Sequence, residues 1–338
     1  MRVGIIGTGA ISHKHAQAYK NIGFEVVAVN DNAIERAEEF TALYGGEACV
    51  SYQEVCRHPK VDFIDVCTFP DFRLQPLKVA AAAGKHVQVQ KPIATDVRTA
   101  RGMVEFCAQS NVLLNIVSQH RFDDSIQFLK RAIAAGRLGK IIQADAYVKW
   151  WRSAEYYSRP IKGSWHTEGG GALINQGIHQ IDMLLHLCGA VSEVFGYWQL
   201  GAVHKIESED VITAVMKYAS GATGVIQAST AMWPGYTERL EIHGTKGCAV
   251  VSGDKLTTWD VQDDDASDPA PVAKEVASGA SDPMAISLTP FERQFADFGD
   301  AIRNHRAPLN SGEEGLRALE LVEGIYNSCR SGDKVKLG

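Results

Sequence analysis

The rhythm of apolar and polar positions changes along the chain. In residues 1–120, apolar runs recur at Val3–Ile6, Phe24–Val29, Val61–Cys67, His86–Val89 and Val112–Val117. Several lack strict polar alternation, as strands buried on both faces do. Helical spacing lies between them. In Asp96–Ala108, Val97, Ala100, Val104 and Cys107 recur at near-helical intervals, and Thr95 or Asp96 stands where a helix is capped. Repeated strand–helix units with short connections predict a doubly wound parallel sheet over residues 1–120.

Residues 121–338 read differently. A helix over Ser125–Ala135 ends at Gly136. Strand-like segments follow at Ile141–Trp150, Val194–Leu200, Val211–Tyr218, Thr223–Thr230, Tyr236–His243 and Cys248–Val251. Ser220-Gly221 and the run Gly244–Gly247 separate neighbouring segments as hairpin turns, which make the strands antiparallel. The expectation is an α+β domain on an open, mainly antiparallel sheet with helices on one face. Its other face needs cover, which points to a homodimer or homotetramer formed through that sheet. Helical patterns at Phe291–Asn304 and Gly312–Ser331 are expected to pack back on the first domain. The acidic run Asp263-Asp264-Asp265 lies in a stretch rich in Asp, Ser, Ala and Pro; it reads as a solvated loop rather than a cation site.

The chain has 338 residues, 45% hydrophobic and 22% charged, with a net charge of −6. That length suits two domains at roughly 150 residues each. The acidic balance, without a Lys/Arg-rich run, argues against a nucleic-acid or membrane surface. Seven cysteines, odd in number, scattered and without a C-x-x-C pair, suit a reducing, cytoplasmic setting and read as small core residues rather than nucleophiles. The N-terminal MRVGIIG reads as a strand and lacks the long apolar region of a signal sequence.

Gly7-Thr8-Gly9-Ala10-Ile11-Ser12 follows the first strand and opens a helix. Gly7 permits the tight turn, Gly9 lets backbone approach a pyrophosphate, and Ser12 stands where a third glycine often sits. Asp31 closes the next strand at nearly the spacing expected of a ribose-binding acid. A carboxylate there accepts hydrogen bonds from both ribose hydroxyls and repels a 2′-phosphate, and neither Asn32 nor Ala33 supplies an arginine. NAD is therefore favoured over NADP. The plain alternative is that Asp31 only caps the helix starting near Ile34.

Lys91 ends the strand HVQVQ and is followed at once by Pro92, which restricts it to extended geometry and allows a cis bond. In a doubly wound sheet, ligands lie at the carboxyl ends of strands. The ammonium is thus aimed at the place where a nicotinamide and a substrate hydroxyl meet, whereas a surface lysine needs no such support. A second cluster follows Gly169-Gly170-Gly171: Asn175, His179, Asp182 and His186 fall along one helical face, with Ile178, Ile181 and Leu185 beside them as core. His179 exchanges a proton near neutral pH and Asp182 fixes its tautomer. Two readings compete: a metal site built from His179, Asp182 and His186, and a polar stripe at a domain interface. The glycines and the nucleotide turn favour acid–base chemistry, and no metal is expected.

Together these residues resemble the Gfo/Idh/MocA oxidoreductases (glucose–fructose oxidoreductase, inositol dehydrogenase and relatives) over nearly the whole chain. GTGAIS, AVND, AGKHVQVQKP, GRLGKI, GGGALINQGIHQIDMLLHL and the tail AIRNHRAPLNSGEEGLRALELVEGIYNS carry the resemblance. It implies an N-terminal Rossmann domain, a C-terminal domain with an open sheet, and oxidation or reduction of sugars, cyclitols or their derivatives. Lys91 matches the lysine of the family's E-K-P motif and His179 its acid/base histidine. Gln90 stands in place of the motif's glutamate, Asn175 in place of the aspartate of inositol dehydrogenases, and Arg73 where many members carry histidine. The NQGIH form is closer to nucleotide-sugar 3-dehydrogenases and puts an inositol-type substrate in doubt.

The resulting expectation is an NAD-dependent sugar or polyol dehydrogenase. Lys91, His179 and Asp182 are its catalytic residues. Gly7, Thr8, Gly9, Ala10, Ile11, Asp31, Thr68, Lys91 and Gln119 hold the cofactor. Asn175, Arg121, Tyr156, Trp165 and His166 bind the substrate. The aromatic stretch suits stacking on a sugar ring and equally suits core or oligomer contacts. A non-catalytic NAD-responsive regulator and an NAD-dependent glycosidase of the same fold are the alternatives.

Overall fold

The structure is a computed structural model. It describes residues 1–159, 161–263, 267–273 and 287–338, so Asp264 and Asp265 of the acidic run lie outside the described residues. The chain divides into two compact units, residues 1–119 with 287–319, and residues 120–286 with 320–338. The boundary after Gln119 adjoins the one expected at 120, but residues 287–319 belong to the first unit.

The first unit is built on β1 (Arg2–Ile6), β2 (Glu25–Asn30), β3 (Glu47–Ala48), β4 (Phe63–Val66), β5 (His86–Gln90) and β6 (Leu114–Val117). They lie in the order β3-β2-β1-β4-β5-β6 and every pairing is parallel. The helices α1 (Ala10–Asn21), α2 (Ile34–Tyr44), α3 (Tyr52–Arg57), α4 (Leu74–Ala82) and α5 (Val97–Gln109) alternate with these strands. Asp96 caps α5 by accepting the Thr99 N–H at 2.8 Å, and Ala100, Met103 and Cys107 form its buried stripe. The order reverses at β1 and β4, so the residues just past β1, β4 and β5 share the switch-point edge where ligands bind such sheets. Those residues are Gly7, Thr8, Cys67, Thr68 and Lys91.

The returning segment completes this unit. Phe291, Phe295 and Phe298 of α9 (Thr289–Arg303) are buried, with the Phe295 ring 4.6 Å from Tyr19 of α1 and Phe298 5.1 Å from Phe63 of β4. The buried Gln294 amide donates to the Ile116 carbonyl at 2.8 Å and accepts the Ser118 N–H at 3.1 Å. Asn310 offers its carbonyl to Ile116 N–H. The exposed edge of β6 is thereby satisfied, which removes a template for unwanted strand pairing.

The second unit carries α6 (Asp124–Ala134), α7 (Trp165–Glu168), α8 (Ile178–Cys188) and an eight-stranded sheet. Its strands are β7 (Ile141–Lys149), β8 (Val191–Leu200), β9 (Glu209–Tyr218), β10 (Thr223–Ser229), β11 (Arg239–Gly244), β12 (Gly247–Ser252), β13 (Lys255–Val261) and β14 (Val335–Lys336). The order is β13-β12-β11-β7-β10-β9-β8-β14, antiparallel except that β7 and β10 run parallel. β9–β10 and β11–β12 are hairpins, closed at the predicted turns. The last helix, α10 (Gly312–Ser331), passes from the first unit into the second, and β14 then pairs with β8. Ala144, Ala146 and Val148 of β7, with Ile212, Ala214 and Met216 of β9, are buried, and α8 packs on β7. Intervening positions of β8 and β9 face outward, leaving Tyr197 and Val215 71% and 52% exposed.

Candidate functional site

The site residues of the first unit follow its strand ends. Gly7 has φ +93°, and a Cβ there would lie 3.2 Å from Cys67 and Thr68 backbone atoms, so both conformation and space require glycine. Gly9 is the N-cap of α1, and a Cβ built on it meets nothing within 4 Å. No side chain caps α1 and no acid lies in its first turn. Its N–H groups over Gly9, Ala10 and Ile11 therefore offer an open cradle for an anion, which fits a dinucleotide's pyrophosphate. Ser12 is buried and its hydroxyl donates to the Gly9 carbonyl at 2.6 Å, so a small polar residue takes the third-glycine position.

Asp31 turns back onto this loop. One carboxylate oxygen accepts from Thr8 N–H at 2.9 Å and Thr8 Oγ1 at 2.8 Å. The other accepts from Ala33 N–H at 3.2 Å and from Arg36. Burial pushes the Asp31 carboxyl up, but the donors from Thr8, Ala33 and Arg36 outweigh it and hold it below its ordinary value. The N-cap of α2 is Ala33 rather than Asp31. Arg36, in the first turn of α2, lies beyond positions 32 and 33, the two directly after Asp31.

Lys91 is half-buried at the end of β5, and the Lys91–Pro92 bond is cis. Its N–H donates to Gln90 Oε1 at 2.9 Å. Gln90 Nε2 lies 2.9 Å from His15 Nε2, and His15 Nδ1 lies 2.7 Å from Asp65 Oδ2, which also accepts from Tyr19 at 2.7 Å. Burial raises the Asp65 carboxyl, yet His15, Tyr19 and Gln88 bring it below its ordinary value. The ligand atoms of His15, Asp65 and Cys67 are mutually close and buried, but burial and Asp65 hold the Cys67 thiol well above its ordinary value, disfavouring the thiolate a metal requires. On the carbonyl side stands Arg73, buried, donating to Thr68, Gln90, Lys91 and Pro92. Thr68 is half-buried and Gln119 buried.

In the second unit the glycines are dictated by contact. A Cβ on Gly170 would strike the Tyr326 hydroxyl at 2.3 Å, and one on Gly171 the Glu209 carbonyl at 1.9 Å. The Glu209 carboxyl accepts from Gly171 N–H and Leu173 N–H, each at 2.9 Å, and from Tyr326 at 2.7 Å. Burial pushes it up to about 7 against these donors. The chain then makes a π-helical turn, Leu173–Gly177, before α8. That turn is wider than an α-helical one, so Asn175 does not keep the phase that a single helical wheel gave it relative to His179. Asn175 Nδ2 donates to the Gly170 and Gly171 carbonyls at 3.3 and 3.2 Å.

His179 is half-buried and meets His120 edge to face, ring centroids 5.0 Å apart. His120 Nδ1 lies 2.8 Å from Asp123 Oδ2. Burial lowers the His120 pKa, but Asp123 outweighs it and holds it above its ordinary value. Asp182, expected to fix the His179 tautomer, has both oxygens bonded by Arg121 at 2.8 and 2.7 Å. Arg121, expected to reach substrate, is 1% exposed. The two side chains form a buried ion pair that ties the turn after β6 to α8. His186 is half-buried, and its pKa is pulled down to about 4 by burial, Arg121 and Lys130.

The aromatic stretch separates into two groups. Tyr156 is half-buried, with Arg152 and Lys162 over its ring at 5.7 and 5.1 Å and its hydroxyl accepting from Gln176 Nε2 at 3.3 Å. Gln176 is buried and its Oε1 has no hydrogen-bond partner among the described residues. Trp165 instead packs against Trp198 and Tyr326 with Arg330 over it, and its indole N–H donates to the Glu207 carbonyl. His166, next to it, is exposed. Sequence reasoning marked Arg73 only as a departure from the family's histidine and missed Gln176 and His120; the polar triplet Gln119-His120-Arg121 directly after an apolar strand was the available signal for the last.

Residues 1–117 match the model of an oxidoreductase family with an NAD-binding Rossmann fold, and residues 126–250 match the GFO/IDH/MocA C-terminal domain. The chain is 28% identical to the myo-inositol 2-dehydrogenase of Thermotoga maritima, spanning 100% of this chain and 98% of that one. It is 27% identical to the D-apiose dehydrogenase of Paraburkholderia graminis, spanning 98% and 88%. Among solved structures, the WlbA dehydrogenase from Bordetella pertussis in complex with NADH and UDP-GlcNAcA is similar at a TM-score of 0.90 and 28% identity, spanning 100% of this chain and 98% of that one. A dinucleotide-binding sheet followed in the same chain by the matching C-terminal domain places this protein in the Gfo/Idh/MocA family of oxidoreductases.

Proposed function

We propose that this protein oxidises a secondary alcohol of a sugar or sugar derivative, with NAD as hydride acceptor, or runs the reverse reduction. NAD, when bound, supplies the acceptor carbon for hydride. The chain's own residues do the rest. The uncapped α1 N-terminus over Gly9 holds the pyrophosphate. Asp31 accepts the ribose hydroxyls, and the exposed Arg36 arm swings aside for them. His179 takes the hydroxyl proton as hydride leaves the carbon, and the Lys91 ammonium serves as a hydrogen-bond donor to developing negative charge.

The observation that carries this reading is that Lys91 and His179 are both half-buried, one at a switch-point strand end and the other on the helix opened by the glycine run. A regulator has no need of either proton-handling group. The NADH-bound relatives support the cofactor. The test is a panel of sugars, polyols and nucleotide sugars followed by NADH absorbance. Net NADH formation with a panel member supports the dehydrogenase; turnover without net NADH identifies the glycosidase, and NAD binding without turnover identifies the regulator.

A nucleotide sugar is the narrower substrate reading. It rests on the similarity to the WlbA dehydrogenase structures, whose complexes contain UDP-GlcNAcA, and on Asn175, which binds a hydroxyl but does not titrate. A UDP-sugar with a kcat/KM above that of the free sugars supports it. The outward face of the eight-stranded sheet, with Tyr197 and Val215 exposed, supports a homodimer or homotetramer, which light scattering during size-exclusion chromatography tests.

A further inference from the structure

Arg73 lies between β4 and α4, 4% exposed. Its Nε and Nη2 donate to the Thr68 carbonyl at 3.0 and 2.8 Å. Nη1 donates to the carbonyls of Gln90 and Pro92, and Nη2 reaches that of Lys91 at 3.5 Å. Every acceptor in this set is a backbone carbonyl, and three of them are consecutive. The other side of Lys91 is held as well, since its N–H is taken by Gln90, whose amide is braced by His15 and Asp65. A buried guanidinium carries a desolvation cost that a well-packed apolar side chain avoids. Fold stability alone therefore gives little reason to place one here. A planar fork with five donors, however, holds several carbonyls in fixed directions in a way that a single ammonium does not.

We infer that Arg73 is a positioning residue: by gripping the carbonyls of Thr68, Gln90, Lys91 and Pro92 it fixes the exits of β4 and β5 and so sets where the Lys91 ammonium points. This rests on the reading of Lys91 as a residue that acts at the reacting hydroxyl. The two stand apart in that Arg73 bonds only backbone, so its effect reaches chemistry through the geometry of Lys91 and not through contact with substrate.

The test uses the full chain with Arg73→Lys, Arg73→Ala and Lys91→Ala. Thermal unfolding, NADH binding by fluorescence, amide hydrogen exchange over residues 88–95 and turnover on the best panel substrate are measured for each. Arg73→Lys is expected to exchange faster at Lys91, Ile93 and Ala94 and to lose kcat on the order of 10- to 100-fold with substrate KM little changed, because small misplacements of a catalytic group cost that much. Millimolar guanidinium is expected to restore part of the kcat and of the exchange protection of Arg73→Ala. Parent-like exchange and kcat in Arg73→Lys would overturn the inference, and this variant decides the matter if Arg73→Ala does not fold. Full turnover in Lys91→Ala would instead remove the reading of Lys91, while the exchange data would still report whether Arg73 fixes the segment.

Discussion

Arg121 and Asp182 face each other in a bidentate ion pair, Nε to Oδ2 at 2.8 Å and Nη2 to Oδ1 at 2.7 Å, with both side chains buried. The pair joins the turn that follows β6 to the helix that bears His179. Removing one partner leaves a buried charge without its counter-ion, which costs about 3–5 kcal/mol. Arg121→Ala and Asp182→Asn should therefore each lower the urea midpoint steeply. An apolar double replacement of similar volume, Arg121→Met with Asp182→Leu, should recover most of the loss. Single variants as stable as the parent would show that the pair does not anchor α8.

Glu209 predicts a pH dependence of stability. Its carboxyl is pushed up to about 7 in the fold from an ordinary 4.5. The fold thus favours the protonated form, and the stability this confers is fully present below pH 4.5 and lost as pH rises through about 7. The full swing is on the order of 3 kcal/mol. Glu209→Gln does not titrate and keeps an acceptor for one of the Gly171 and Leu173 N–H groups, which bond different carboxylate oxygens. The stability difference between Glu209→Gln and the parent should grow in favour of the variant between pH 5 and 8, read from urea midpoints. A constant difference across that range would mean that Glu209 titrates where it does in solution.

Lys91→Ala and His179→Ala should each reduce turnover by about 100-fold or more, the scale of a lost acid–base group. His179 lies on α8, and its loss should leave NADH affinity intact, so binding by fluorescence separates the chemical defect from a binding defect. Near-parental turnover in both variants would end the proton-handling assignment without touching the fold.

The first unit was legible because its strands are apolar on both faces and its glycine turn and acid fall at fixed places. The strand HVQVQ shows the limit of that reading. Gln88 and Gln90 suggest an outward polar face, yet both are buried, because Tyr19, Asn115 and His15 supply partners from distant positions. No local pattern announces such pairings, and the same holds for Arg121 with Asp182. In the second unit, hairpin glycines revealed most strands. The two-residue β14 is too short to carry a period, and the polar sequence of β13, KLTTWDV, concealed a strand that covers a sheet edge. A helical wheel assumes one pitch throughout, so the π turn at Leu173–Gly177 was invisible to it.

The pairing of Asp31 with Arg36 makes a prediction about cofactor choice. The carboxylate is held in its charged form by Thr8, Ala33 and Arg36 despite partial burial, and in the proposed cofactor site it would face a 2′-phosphate. Arg36 is 61% exposed along its side chain. Asp31→Ser removes the like charge and releases the guanidinium to pair with a phosphate dianion, the geometry arginine suits best. Juxtaposed like charges cost several kcal/mol, so the kcat/KM ratio of NADP to NAD should rise by at least about tenfold, given that each 1.4 kcal/mol is worth a factor of ten. Adding Arg36→Ala to Asp31→Ser should take much of that gain away, and should do so less at high salt, where the attraction is screened. An unchanged ratio in Asp31→Ser would mean that discrimination lies elsewhere along the cofactor, because no other change at this position removes the repulsion so directly.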